Sequence, residues 1–303
     1  GCNGSSGDCS SDTFRGVSPG SEPETQGMLS FNGDAHALYS LSYHSYGEYL
    51  MYSYGCTDPD EKAAMDEVAQ NLNRILQNDN GQTGLYRTGP IWSTIYLADG
   101  GSVDTQYGID GSYAYVIEVN QSSFQPDFNT WRNITVQRQR TAWQYFLDKT
   151  LDGPQIRGRV RDGKSGAPLA ARMTRGEVTY THGESPRYAD QRGLYWFLAQ
   201  NGATYHVTAT MPGYCSITQA VTVGSGPATL DFALGHPAAP DGVGAAGAGD
   251  NAIRVTWNAV AGAAEYHVYR ALTSGGPYVQ VGTAAGNTTS FLDQGVSGQV
   301  TFY

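Results

Sequence analysis

A single histidine in an aromatic, serine-rich stretch is the first candidate for chemistry. His44 lies within SLSYHSYGEYLMYSYG, residues 40–55. An imidazole can bind a metal ion or exchange a proton near neutral pH. A histidine beside aromatic residues is, however, more often held by hydrogen bonds in a structural role. The stretch alone leaves both interpretations open.

A carboxylate inside a strand pattern is the second candidate. Glu118 lies within SYAYVIEV, residues 112–119, a run dense in residues that favour β-structure. Burying a carboxylate there is costly unless a partner is present. Because successive strand residues face opposite sides of a sheet, Glu118 either points to solvent or faces a site that supplies such a partner.

The four cysteines are Cys2, Cys9, Cys56 and Cys215. Cys2 and Cys9 lie in the Gly/Ser-rich loop GCNGSSGDCS, which predicts a short disulfide between them. Zinc binding by this pair is less favoured, because no second Cys/His pair lies nearby. Whether Cys56 and Cys215 are paired or free is left open. The other five histidines are interpreted as surface or structural residues. They are His36, His182, His206, His236 and His267.

The composition narrows the classes of partner. The chain has 303 residues and a formal net charge of −10, which leaves no basic stripe to neutralise the phosphates of a nucleic acid. No apolar run is long enough to span a membrane. The 39 Gly and 21 Tyr, with 15% charged residues, favour β-rich extracellular domains. We expect the chain to be a piece of a longer secreted protein, with its signal peptide outside this piece.

Residues 1–150 read as an α/β domain with a mixed sheet and flanking helices. SEPETQGML predicts a helix, with Ser21 as N-cap and Glu24 completing a capping box. Helical spacing of apolar residues predicts an amphipathic helix over 61–77 and another over 127–147. Strands are predicted at 35–45, 48–55, 91–98 and 112–119. Strands that alternate with long helices imply a sheet covered by those helices.

After LDGP the texture of the sequence changes. Residues 155–235 contain short alternating runs separated by Gly/Pro turns, which predict a small β-sandwich. A Pro/Ala/Gly-rich linker follows, and residues 237–303 begin a second all-β sandwich with IRVTW and YHVYRA. The chain is therefore predicted to be multidomain, an α/β domain followed by two β-sandwiches.

Four stretches in order give residues 1–150 a family likeness. SSDTFRGVSPGSEPE (10–24), SYHSYGEYLMYSYG (42–55), TIYLADGGSVD (94–104) and SYAYVIEV (112–119) resemble the corresponding motifs of zinc metallocarboxypeptidases of the carboxypeptidase A type. Their order and spacing match the C-terminal half of that catalytic domain. The likeness implies a zinc-dependent peptidase that acts on the C-terminal residue of peptide or protein substrates.

The likeness assigns roles residue by residue. His44 matches a zinc ligand and Glu118 the general base. Tyr96 matches a loop tyrosine that closes over the substrate, and Val103 the floor of the pocket for the C-terminal side chain. An apolar Val103 implies a preference for hydrophobic or aromatic C-terminal residues. Two residues, Ser45 and Tyr46, match positions that line the substrate groove.

The trailing segments also resemble known modules. Residues 155–235 are similar to the transthyretin-like carboxypeptidase regulatory domain, through IRGRVRDGKSGAPL and TYHVTATMPGY. Residues 237–303 resemble part of a fibronectin type III domain, with Trp257, Tyr266 and Tyr269 on early strands and Tyr303 as its corner tyrosine. Neither shows a catalytic constellation, so stabilisation, spacing, or binding of polymers and surfaces are their implied roles.

One departure from the family pattern limits the prediction. The family places its other two zinc ligands in an upstream His-x-x-Glu motif, and this chain contains no His-x-x-Glu. With one ligand of three, this chain alone is predicted to hold catalytic zinc weakly and to be inactive. Two alternatives stay open: a non-catalytic secreted binding or adhesion protein with a relic peptidase domain, and a zinc peptidase that acts on cell-wall peptides.

Overall fold

The computed structural model describes residues 2–296. The described chain forms two compact units. The first unit runs to Met211 and includes Ser216–Ala233. The second contains Pro212–Cys215 and the described residues from Leu234 onwards.

The helices and strands follow one another along both units. The helices are α1 Pro23–Ala35, α2 Lys62–Asn73, α3 Ile91–Thr94, α4 Ser102–Thr105, a π-helical turn Gln106–Asp110, and α5 Phe128–Asp152. The strands of the α/β part (residues 2–152) are β1 Tyr39–Ser45, β2 Tyr49–Tyr52, β3 Arg87–Pro90 and β4 Tyr113–Val119. The later strands are β5 Gln155–Asp162, β6 Arg172–Arg175, β7 Arg187–Tyr188, β8 Leu194–Leu198, β9 Thr204–Thr210, β10 Ile217–Thr222, β11 Ala228–Thr229, β12 Phe232–Leu234, β13 Gly244–Gly247, β14 Ala252–Thr256, β15 Glu265–Arg270, β16 Val279–Ala285 and β17 Ser290–Gln294.

The α/β part is built on a four-stranded mixed sheet of order β1-β4-β2-β3. β1 and β4 run parallel, and β2 is antiparallel to β4. β4 is buried along nearly its whole length, as expected for a central strand covered on both faces. One face carries Tyr113, Tyr115 and Ile117 into a large core with α2 and α5. The other carries Ala114 and Val116 into a smaller cluster with Met51 and Val103.

The long amphipathic elements agree with the sequence. The helix predicted over 61–77 is α2, which buries Met65, Val68 and Leu72 on one face. The helix predicted over 127–147 is α5, which begins after Asp127. The Asp127 carboxylate accepts a hydrogen bond from the backbone N–H of Thr130 and so caps the helix. The mixed α/β sheet with flanking helices, followed by β-sheets, is the predicted fold class.

The strand predicted over 91–98 is wrong. β3 ends at Pro90, and the chain enters the short helix α3. Proline has no N–H to continue a ladder, and its fixed φ suits the start of a helix turn. Ile91 and Ile95, one helical turn apart, then pack on the cluster of Met51 and Val103. Two isoleucines of a run rich in β-formers thus reach the core from a helix turn, while Trp92, Tyr96 and Leu97 stay exposed.

The capping box predicted at Ser21 is also absent. Glu22, not Ser21, occupies the N-cap position, and α1 begins at Pro23. The Ser21 hydroxyl donates to the Glu22 carboxylate at 2.6 Å instead of capping the helix. The helix itself is present as predicted.

The first unit also contains a small sandwich of two sheets (residues 155–234). One sheet has the order β10-β9-β6-β7, and the other β11-β5-β12 with β8 paired to β5. β5 alternates buried and exposed residues along its length, the pattern of a strand with one face on a core. A buried ion pair between Arg175 of β6 and Glu61, next to α2, joins this sandwich to the α/β part.

The second unit contains strands β13 to β17. β13, β14 and β17 form one sheet, and β15 and β16 pair in another. Trp257 and Tyr266 pack with ring centroids 5.0 Å apart at the centre of its core. The predicted corner tyrosine, Tyr303, lies outside the described residues. None of the helices in residues 2–296 is both long and apolar enough to cross a membrane.

Candidate functional site

His44 and Glu118 meet at the carboxyl end of β1 and β4. The two strands are parallel, and their register places His44 directly opposite Glu118. On the other side of Glu118, the antiparallel strand β2 places Tyr49 opposite the same residue. Because paired residues of neighbouring strands project to the same face about 4.8 Å apart, the imidazole and the carboxylate belong to one site. They are 74 positions apart in the sequence, and the register alone brings them together.

The carboxylate of Glu118 is buried without being satisfied. The residue is only 8% exposed. Its Oε2 atom is buried and has no hydrogen-bond partner among the described residues. Burial raises the pKa of the Glu118 carboxyl above its ordinary value. A carboxylate that lacks partners and has a raised pKa is suited to accept and release a proton.

The imidazole of His44 is exposed at the surface of the same face. Its Nε2 lies 3.1 Å from the Ser42 hydroxyl, two residues back on β1. A serine hydroxyl is a weak partner that a metal ion can replace, and it orients the ring across the end of the strand. His44 is therefore accessible and held, as a ligand on a rigid strand should be.

A hydrogen-bond network that the sequence did not suggest supports the ends of both strands. The buried Glu48 follows β1 and accepts from the backbone N–H of Asp79 at 2.6 Å. The Asp79 carboxylate in turn accepts from the Asn120 side chain at 3.0 Å and from the Gln121 N–H at 2.9 Å. Glu48 and Asn120 both have positive φ; Glu48 directly precedes β2, and Asn120 directly follows β4. The sequence signals for this network were an acidic residue in an aromatic stretch, Glu48, and a distant Asn-Asp pair, Asn78 and Asp79.

Val103 lies under this site. It is 3% exposed and packs with Met51, Ala114 and Val116 on the face that also carries Glu118. The next residue, Asp104, turns its carboxylate to the Gly55 N–H at 3.1 Å. Burial raises the pKa of Asp104 to about 6, against the opposing effect of that hydrogen bond. The surroundings of Val103 are thus apolar, and the neighbouring acid is engaged with the backbone.

Ser45, Tyr46 and Tyr96 lie at the accessible rim. The Ser45 hydroxyl donates to the Phe124 carbonyl at 3.1 Å, and the Tyr46 ring meets the Phe124 ring edge-on at 4.8 Å. Tyr96 follows α3 in a segment without regular structure and is 61% exposed. The glycines Gly100 and Gly101 follow it four and five residues later in the same loop. Their substrate-binding roles stay predictions.

The predicted Cys2–Cys9 disulfide is wrong. The structure pairs Cys2 with Cys56, with Cα atoms 5.6 Å apart, while Cys9 is free and exposed. Cys9 lies in a turn in which the Asp8 carboxylate accepts from the Ser10 N–H. This local turn directs Cys9 to solvent, whereas the chain before it lies against residues 55 and 56. The disulfide fixes the N-terminal segment beside Gly55, whose N–H binds Asp104.

The residues present suit one part of a catalytic zinc site. Such a site uses three protein ligands and an open position, and His44 with Glu118 offers one ligand beside one base. Within residues 2–296, His44 is not part of any group of three His, Cys, Asp or Glu side chains close enough to share an ion. The buried Oε2 atom of Glu118 has no hydrogen-bond partner among the described residues, and a nearby cation or water would stabilise it.

Comparisons with known proteins relate two segments of the chain to known families. Residues 1–139 match the zinc carboxypeptidase family, and residues 155–235 match the carboxypeptidase regulatory-like domain. Carboxypeptidase A2 of Rattus norvegicus is 38% identical over 119 residues, which are 38% of this chain and 28% of that protein. Carboxypeptidase A1 of Bos taurus is 33% identical over 116 residues, 37% of this chain and 27% of that protein.

A solved structure overlaps part of the chain as well. The bovine thrombin-activatable fibrinolysis inhibitor, in complex with tick carboxypeptidase inhibitor, gives a TM-score of 0.43 at 22% identity and covers 48% of this chain and 51% of that one. The chain spans less than a third of the length of the curated relatives it matches. The fibronectin type III likeness of residues 237–303 stays a prediction. Two separate segments of the chain thus match known families, zinc carboxypeptidase in the first and the carboxypeptidase regulatory-like domain in the second.

Proposed function

We propose that this chain supplies the general base, one zinc ligand and the specificity pocket of a secreted metallocarboxypeptidase. The enzyme removes hydrophobic or aromatic residues from the C-termini of peptides. The observation that carries the proposal is the pairing of an exposed imidazole with a buried, unpaired carboxylate in one strand register. Sequence patterns place the two residues on separate strands, and a catalytic role accounts for a buried Glu118 oxygen without a partner among the described residues.

Glu118 is the proton carrier in this proposal. Its Oε2, which has no partner among the described residues, accepts a proton from the attacking water and returns it to the leaving amine. The raised pKa brings the carboxyl closer to the operating pH, which favours transfer in both directions. In sites of this kind, zinc held by His44 and two further ligands would polarise the substrate carbonyl and lower the pKa of the bound water.

Val103 sets the preference for the C-terminal side chain. The apolar cluster around it would stabilise a hydrophobic group and offers nothing to a positive charge. Asp104 is the nearest acid in sequence, and its carboxylate already binds the Gly55 N–H. Tyr96 closes over the substrate from the rim, while Ser45 and Tyr46 line the groove.

The disulfide supports the proposed location. Cys2 and Cys56 are joined across 54 residues, and disulfides persist mainly in oxidising compartments outside the cytosol. The β-rich modules that follow are proposed to stabilise the enzyme or to bind polymers or surfaces.

Glu118→Gln in the full-length protein tests the catalytic assignment. We expect kcat to fall by about 10³-fold or more, because the amide cannot accept the proton, while the zinc content stays unchanged. Glu24→Gln, on the exposed first turn of α1, is the matched control and should leave kcat unchanged. Full activity in Glu118→Gln would refute the general-base role.

A panel of peptides that differ only in the last residue tests the pocket. We expect kcat/KM for a C-terminal Phe or Leu to exceed that for Arg or Glu by about 100-fold, since a charged side chain loses its hydration in an apolar pocket. A preference for Arg would overturn the role of Val103. Hydrolysis confined to cell-wall peptides would keep the chemistry and replace the substrate class.

A further inference from the structure

Three potential metal ligands meet at a second place in the first unit. Asp60 lies two residues before α2, and His182 and Glu184 lie in the loop between β6 and β7. Their ligand atoms all lie within 4.8 Å of one another. The two segments are more than 100 residues apart in sequence, so that the fold, and not a local turn, brings the three side chains together. None of them belongs to the site of His44 and Glu118.

The distances suit a tetrahedral ion. The Nδ1 atom of His182 lies 3.4 Å from Asp60 Oδ2 and 3.6 Å from Glu184 Oε1. Zinc binds imidazole nitrogen and carboxylate oxygen at about 2.0–2.1 Å, so that two ligand atoms of a tetrahedral site lie about 3.4 Å apart. The imidazole nitrogen therefore already stands at ligand spacing from both carboxylates.

The charges of the three side chains also favour the binding of a cation. The Glu184 side chain is fully buried, and that of Asp60 is only 17% exposed. Glu184 accepts from the Tyr54 hydroxyl at 2.9 Å and from the backbone N–H of His182 at 2.8 Å. Both of these donors are neutral. Among the described residues, His182 is the one basic side chain within ion-pairing distance of either carboxylate. Two acids beside one imidazole leave a negative site, which a divalent ion neutralises.

The surrounding groups hold the ligands in place. Thr181 donates its backbone N–H and its hydroxyl to the two Asp60 oxygens, at 2.7 and 2.9 Å. The Nε2 atom of His182 lies 3.5 Å from the Thr57 hydroxyl, which can accept its proton when Nδ1 is bare. Second partners of this kind fix the tautomer and orientation of metal-binding histidines. The His182 side chain is about one-third exposed, so that water can complete the coordination.

We propose that Asp60, His182 and Glu184 bind a zinc ion that fastens the loop of the regulatory-like sandwich to the start of α2. One imidazole nitrogen with two carboxylate oxygens is a zinc-type donor set, whereas calcium and magnesium prefer oxygen alone. The ion has a structural role and is independent of the proposed peptidase activity.

Zinc titration of the 303-residue chain tests the proposal. The chain is dialysed against chelator, and Zn²⁺ alone is added in a calorimeter at neutral pH. We expect one site per chain and a melting temperature that rises with Zn²⁺. His182→Ala should weaken binding by about 100-fold or more and abolish the rise in melting temperature. His44→Ala should leave this binding unchanged, which separates it from any catalytic site.

The controls make the result decisive. His206→Ala removes a histidine that pairs with a single exposed carboxylate, Glu177, and should change nothing. Asp60→Asn is the second variant if His182→Ala fails to fold, and a melting curve in chelator reports folding for each protein. Co²⁺ in place of Zn²⁺ should give the visible absorption of a tetrahedral site. Binding that survives both substitutions, that is lost in His44→Ala, or that is tighter for Ca²⁺ than for Zn²⁺ would overturn the proposal.

Discussion

Two glutamates of the α/β part are almost equally buried and are treated in opposite ways. Glu61, next to α2, is 6% exposed, and Glu118, at the end of β4, is 8% exposed. Glu61 forms an ion pair with Arg175, whose side chain is equally buried. Glu118 has a carboxylate oxygen without a partner in the described chain.

The environment of Glu61 satisfies its charge completely. The Tyr113 and Tyr180 hydroxyls donate to it at 2.6 and 2.9 Å, and the Tyr107 hydroxyl at 3.3 Å. Burial alone would raise the pKa of Glu61, but Arg175 and the tyrosine hydrogen bonds hold it below its ordinary value. Glu61 is therefore a structural charge that ties the sandwich to the α/β part.

Glu118 shows the reverse. Burial raises its pKa, and within residues 2–296 no cation or hydroxyl opposes the shift. The same polypeptide surrounds the buried carboxylate of Glu61 with four partners and leaves one oxygen of Glu118 with none among the described residues. The contrast separates a carboxylate that holds structure from one that is available for chemistry.

Removing the partner of Glu61 should have the largest effect on stability. Arg175→Ala leaves a buried, uncompensated carboxylate and should lower the free energy of unfolding by about 3–5 kcal/mol. Denaturant unfolding measures it, with Arg172→Ala, an exposed arginine of the same strand, as control. The double variant Glu61→Met/Arg175→Met should recover most of the loss. A loss below about 1 kcal/mol in Arg175→Ala would contradict the structural role of the pair.

Asp104 is intermediate between the two glutamates, because it has a backbone partner but no cation. Its pKa rises from 3.8 to about 6 on folding. A raised carboxyl pKa means that the native state holds the proton more tightly, so that stability falls as pH rises from about 4 to about 6. The expected loss is about 3 kcal/mol. Asp104→Asn should remove this pH dependence in denaturant unfolding, and an unchanged profile would exclude Asp104 as its source.

The tyrosines that donate to Glu61 should contribute unequally to the free energy of unfolding. Tyr113→Phe removes the shorter hydrogen bond to the carboxylate, and also the acceptor of the Leu198 N–H. It should cost about 1.5–2 kcal/mol. Tyr107→Phe removes a longer contact at 3.3 Å and should cost less than about 1 kcal/mol. Equal losses for the two variants would contradict a dependence of the hydrogen-bond energy on these donor–acceptor distances.

The most direct contrast between the two glutamates comes from neutralising each of them, and the smallest expected effect is that at Glu118. Glu118→Gln should stabilise the chain at neutral pH, because burial raises the folded pKa of Glu118; the gain should shrink as pH falls towards the unfolded pKa of about 4.3 and be absent below it. Glu61→Gln should destabilise it at neutral pH, with a loss that shrinks as pH falls through the lowered folded pKa. Unfolding curves from pH 3 to 8 measure both. The same sign for both variants would break the comparison.

Much of this site was readable from the sequence as residue types. His44, Glu118 and Val103 were identified by their motifs, and β4, α2 and α5 by their hydrophobic periodicity. The partners were not readable. Arg175 is 114 residues from Glu61, and Asp60 is more than 100 residues from His182, so that no local pattern relates them. His182 in particular was interpreted as a surface or structural histidine.

The sequence by itself determined the long amphipathic helices α2 and α5, the central strand β4, the family likeness of the α/β segment and of the first sandwich, and which side chains could do chemistry. Tertiary structure decided which of them meet. It set the β1–β4 register that joins His44 to Glu118 and paired Cys2 with Cys56 instead of Cys9. The reason is physical: periodicity and turn chemistry act over a few residues, whereas register, disulfide pairing and buried charge pairs depend on segments that only the packed core brings together.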